Sequence, residues 1–168
     1  MKYKIKKYFS IIELLVTCAV ISILMSIGLG VYRLVVSKIN DTKTMSLIKK
    51  VEMAMRAYRH ETGYYFQERT DTGNGAPYVP LIVNQTDEEF RKLIDYTAMR
   101  NNGQIDNSGN VNDAWGNNIM YTCPGVINTT LFDVGSRGRS GNWGNTTPND
   151  GVDTTLFGTG DDITNTNM

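Results

Sequence analysis

The chain has 168 residues, with 17 basic and 17 acidic side chains. That length holds one modest domain plus an anchor, and the neutral total excludes a strong global field aimed at nucleic acid or an acidic substrate. The charge is unevenly placed, however: residues 1–67 carry 11 Lys and Arg against 4 Asp and Glu, and residues 68–168 carry 6 against 13.

Lys2, Lys4, Lys6 and Lys7 precede a long apolar run in which no residue from Leu14 to Tyr32 is charged. About 20 apolar residues cross a bilayer. The lysines predict that the N-terminus stays cytoplasmic and that the acidic half lies across the membrane. The run continues without a small-residue cleavage site, which argues against an ordinary secretory signal peptide. Glu13 lies inside it, and an acidic residue near the centre of a membrane helix costs on the order of 2.5–3.5 kcal/mol. A plain single-pass anchor leaves that carboxylate unexplained. Gly28 and Gly30 have two readings, close packing against a neighbouring helix or a stretch that unwinds locally.

Beyond Arg33 the pattern becomes amphipathic. Met45, Ile48, Val51, Met55 and Tyr58 recur at steps of three and four and predict one helical face, with Gly63 as the stop. A helix from Phe9 to Glu61 would be about 80 Å long at 1.5 Å per residue. A short strand is expected at 78–83 and a second helix at 87–100, opened by a Thr86–Glu89 capping box. An Asn- and Gly-rich stretch follows from 101 to 112. Strands are expected at 119–123 and 130–134, around a turn at Pro124-Gly125. From Gly135 onward, Gly, Asn, Thr and Asp dominate, a composition that cannot build a core. The expected class is α+β, a long helix packed on a small antiparallel sheet, with Val51, Met55 and Tyr58 facing the sheet and Trp115 and Phe132 nearby.

Little in the chain suggests catalysis. His60 is the one histidine, and no nucleophile–base pair or phosphate-binding glycine loop stands out. The chain is expected not to be an enzyme. Cys18 sits at bilayer depth and Cys123 in the soluble part, so no intrachain disulfide is expected, and Cys123 reads as a small buried apolar residue. Asp150, Asp153, Asp161 and Asp162 lie in the glycine-rich tail. They suit either a solvated acidic tail or a loop ordered by calcium, which takes six to eight oxygens in adaptable geometry.

The residues around Glu13 resemble the signal of the type IV pilin-like superfamily: a short basic leader, then Phe9, then Glu13 as the fifth residue counted from it. The resemblance implies cleavage between Tyr8 and Phe9 by prepilin peptidase and methylation of the new Phe9 amine. The leader would be 1–8, the membrane and filament-core helix 9–33, and the periplasmic domain 34–168 with a loop-rich tail from 135. Tyr8 stands where the family usually has Gly, and Gly30 where many members have a proline. Further on, Thr62-Gly63-Tyr64-Tyr65, Asp113-Ala114-Trp115-Gly116-Asn117, Phe132-Asp133-Val134-Gly135-Ser136 and Gly160-Asp161-Asp162-Ile163 resemble segments of the major pseudopilin of type II secretion systems. The 66–110 region and an insertion around 139–157 have no counterpart in it.

That resemblance implies a structural subunit of a secretion pseudopilus in the bacterial inner membrane. Its partners would be copies of itself, minor pseudopilins, the inner-membrane assembly platform, prepilin peptidase and membrane lipid, with no nucleic acid. Glu13 would meet the Phe9 amine of a neighbouring subunit and so select the stagger of the bundle. The resemblance also implies calcium, held by the side chains of Asp161 and Asp162 and by carbonyls near Val134 and Thr159. Arg137 falls where the family usually has an acidic ligand. Two other readings remain. One is a type IV pilin for adhesion, motility or DNA uptake, which often carries a C-terminal disulfide loop. The other is an ordinary membrane-anchored binding protein.

Overall fold

The computed structural model describes residues 10–66, 78–84, 86–142 and 162–165. The chain separates into two compact units, residues 1–38 and 39–168. A long helix, α1 (Ile11–Thr62), contributes to both.

In the first unit α1 is continuous through Gly28 and Gly30, and a side chain at either position would meet nothing within 4 Å. The local unwinding that the glycines allowed is not seen. Large apolar side chains from Ile11 to Leu34 are exposed. The hydroxyls among them turn back onto the helix: Thr17 donates to the Leu14 carbonyl, Ser22 to Cys18 and Ser26 to Ile23, at 2.7–2.8 Å. A segment that satisfies its polar groups internally is what a bilayer interior demands. It is the one helix among the described residues long and apolar enough to cross a membrane, and it fits a membrane anchor.

In the second unit the helix buries one face, made of Thr44, Leu47, Ile48, Val51, Ala54 and Met55. Met45, expected on that face, is instead exposed. Thr44 takes the inward place because its hydroxyl accepts the backbone N–H of Ala114 at 3.2 Å, so a small polar residue can be buried with its bond made. The helix ends as expected at Gly63, whose φ of +88° favours glycine.

Among the described residues four short strands follow: β1 (Val79–Pro80), β2 (Met120–Thr122), β3 (Asp133–Ser136) and β4 (Ile163–Thr164). They form one antiparallel sheet in the order β1-β2-β3-β4. Together with the long helix, this gives the expected α+β class. Pro80 lies on an edge strand, where a missing N–H is tolerated. β4 comes from the segment expected to contribute no core. It does contribute: Ile163, Thr164 and Asp162 are buried, and Ser136 and Gly135 of β3 pair with Ile163 and Thr164.

The single helix expected over 87–100 is two helices, α2 (Glu88–Leu93) and α3 (Tyr96–Asn101). They are broken at Asp95, whose φ is +54°. Asp tolerates this left-handed conformation better than most residues. The break redirects the chain so that Phe90 and Ile94 before it, and Tyr96 and Met99 after it, are all buried. The Thr86–Glu89 box does not form either. Asp87 occupies the cap position without a side-chain capping bond, and its carboxylate accepts the Asn84 N–H instead.

Aromatic rings join these elements. Phe66 and Phe90 stack at 3.9 Å between centroids, and Tyr58 packs edge-on against both. Tyr65 meets Phe132 at 5.1 Å. Phe132 is buried, Trp115 packs at the margin of the core, and Cys123 is buried and forms no disulfide.

Candidate functional site

Two places carry the residues singled out by the sequence, the start of α1 and the loops that frame β2 and β3. Tyr8 and Phe9 lie outside the described residues. Glu13 is described, and its carboxylate accepts the backbone N–H of Ser10 at 3.0 Å. A helix leaves its first N–H groups without internal partners, and a carboxylate three residues in that reaches back to the first of them makes half of a capping box. The signal was present in Ser10-Ile11-Ile12-Glu13, which matches the S-x-x-E pattern, and sequence reasoning missed it. Glu13 therefore has an intrachain partner at the same end of the helix as the Phe9 amine that processing would create.

The second place is built on two buried carboxylates. Asp113 accepts the backbone N–H of Trp115 at 2.9 Å and of Asn117 at 2.8 Å, and the Ser136 hydroxyl as well. Its own N–H donates to the Asn117 carbonyl, closing the turn. Asn117 donates through Nδ2 to Gly138 at 2.8 Å. With the Ala114–Thr44 bond, the turn ties α1 to the end of β3. An acid is suited to position 113 because one carboxylate has acceptor sites for all three donors.

Asp133 organises the loop between β2 and β3. It accepts the N–H groups of Ile127 and Asn128, the Asn128 amide and the Tyr78 hydroxyl, at 2.7–3.2 Å. A side chain on Gly125 would lie 2.8 Å from this carboxyl group, so only glycine fits there. Burial, and the neighbouring Asp133, push the Tyr78 phenol well above its ordinary value. Both carboxylates are committed to holding loops.

The oxygens expected to hold calcium are only partly described. Asp161 and Thr159 lie outside the described residues. Asp162 is buried just before β4. The Val134 carbonyl accepts the Asn165 N–H at 3.0 Å, and Val134 in turn donates to the Asn165 side chain at 3.1 Å. Arg137 follows β3 directly, and its Nε is buried without a hydrogen-bond partner among the described residues. Among those residues no three of His, Cys, Asp and Glu gather as a metal cluster. His60 is exposed.

Against models of protein families, against curated proteins and against solved structures, the chain has no match.

Proposed function

We propose that this chain is a structural subunit of a pilus-like filament, of the kind that drives protein export through a type II secretion pseudopilus. The observation that carries the reading is an exposed apolar helix that runs on into a small α+β domain and bears an acidic residue, Glu13, at its very start. Subunits would wait in the inner membrane, with the lysine-rich end cytoplasmic and the domain outside. Extraction by an assembly machine would pack the apolar helices side by side. In a staggered bundle, Glu13 would exchange its Ser10 contact for the Phe9 amine of a neighbour. A buried charge left alone costs roughly 3–5 kcal/mol, so a slipped register would be penalised. Within this reading the secretion subunit is preferred to a type IV pilin, because Cys123 forms no disulfide loop. Calcium, where bound, would be held by Asp161 and Asp162 and would tie the tail to the sheet.

N-terminal sequencing of the mature protein from membranes tests the proposal. The expected product begins at a methylated Phe9, and an intact Met1 would overturn it. The hydrogen bond from Ser10 to Glu13 favours a second reading, a plain single-pass anchor, because it accounts for the carboxylate without any partner chain. In that case the start is Met1 and no filament forms on overproduction.

A further inference from the structure

Two groups of like charge lie near α1 in the second unit. Lys43, Lys49 and Lys50 lie on its earlier turns, and Lys43 and Lys49 are exposed. Asp87, Glu88 and Glu89 open α2, where both glutamates are exposed. Phe90, the next residue, packs edge-on against Tyr58, and the Tyr58 phenol is raised by burial with contributions from Glu89 and Asp87. The acidic group therefore sits beside the later turns of the helix. Lys49 and Lys43 are nine and fifteen residues before Tyr58, roughly 14 and 22 Å along the axis at 1.5 Å per residue. Among the described residues only Arg56 and Glu52 form an ion pair, so neither group forms an ion pair among them. Arg91, one turn beyond the acids, is stacked on the Tyr96 ring at 4.0 Å, and Lys92 lies at the far end of α2.

The helix also presents a face opposite its buried one. Met45 and Met53 stand there with 39% and 65% of their surface exposed, and Lys49 lies between them in the sequence. Methionines on a surface adapt to a partner's shape.

We propose that this face is the contact between successive copies of the chain: Lys49 of one copy, flanked by Met45 and Met53, with the half-buried Lys50 beside that face, receives Glu88 and Glu89 of the next. The inference rests on the filament reading and supplies the chemistry of its subunit contact outside the membrane. A second copy is the occupant because the chain carries both halves of the charge pattern. The halves lie on different surfaces of one molecule. A contact between unlike surfaces is heterologous, and it propagates into an open helical assembly instead of closing as a two-fold dimer. Each exposed pair is weak. A filament repeats the contact at every subunit, so a small change per contact becomes a large change in the assembled fraction.

The test is charge exchange in the full-length chain, read as the fraction of protein in sedimentable filaments on overproduction. K49E/K50E and E88K/E89K should each lower that fraction about tenfold while leaving the chain folded, because these side chains make no ion pair among the described residues. The quadruple exchange should restore it. Wild-type assembly by K49E/K50E would overturn the inference, as would a quadruple variant no better than either double. A wild-type chain that keeps Met1 and forms no filaments defeats the filament reading itself, and this contact falls with it.

Discussion

The Tyr78 hydroxyl donates to the Asp133 carboxylate at 3.2 Å, joining the start of β1 to the start of β3 across 55 positions of sequence. Both residues are buried. The bond has a pH signature. The phenol is held above its ordinary value of 10 in the folded state, chiefly by burial, so the folded chain keeps a proton that the unfolded chain loses first. This contribution is constant below about pH 10 and falls as pH rises through the raised folded value. Tyr78→Phe should cost about 1 kcal/mol near neutral pH and flatten the alkaline loss. Thermal midpoints of the detergent-solubilised chain between pH 8 and pH 11 are the measurement, and a variant with an unchanged alkaline slope would remove the assignment.

Glu13→Gln separates the two roles of the first carboxylate. A glutamine oxygen can still accept the Ser10 N–H, but it cannot pair with a positive amine. If the charge selects the filament register, Glu13→Gln and Glu13→Ala should both abolish assembly while the helix persists. Normal assembly by the glutamine variant would reduce Glu13 to a helix cap.

Asp113→Ala leaves the N–H groups of Trp115 and Asn117 and the Ser136 hydroxyl without their acceptor. Groups orphaned in this way cost about 1–3 kcal/mol each. The expected result is a lower denaturation midpoint together with a change in the Trp115 fluorescence spectrum. Asp113→Asn keeps one acceptor oxygen and should lose less.

Met55→Ala removes a fully buried side chain from the face of α1 beneath the core. The expected loss is about 2–5 kcal/mol, from lost transfer energy and a cavity. Met53→Ala, two residues away and exposed, should stay within about 0.5 kcal/mol of wild type. A urea titration of each variant reads the contrast.

Calcium, if held by the tail, should raise the thermal midpoint, because a ligand that binds only the folded state stabilises it by mass action. Chelation should lower the midpoint by several degrees. No shift at saturating calcium would remove the metal from the proposal.

The long helix was legible because its signals are local: a charge-free apolar run, then a three-and-four repeat, then Gly63. Ile48, Val51 and Met55 were placed correctly on the buried face for that reason. Thr44 was not, because what buries it is a bond to Ala114, 70 positions away. The break at Asp95 was hidden for a similar reason. Its sequence reads as helix throughout, and only the need to bury both Phe90 and Met99 turns the chain. The cap between Ser10 and Glu13 was legible in the S-x-x-E spacing, but the apolar run drew attention away from it.

β4 sits at the far end of the sheet from β1 and comes more than 25 residues after its partner β3. Without Ile163 and Thr164, β3 becomes an edge strand with unpaired N–H and C=O groups, the kind of edge that templates pairing with other chains. A chain cut anywhere between β3 and β4 is therefore more than a shortened domain. It exposes an adhesive strand, so proteolytic trimming of the tail should turn the folded chain into a seed for aggregation.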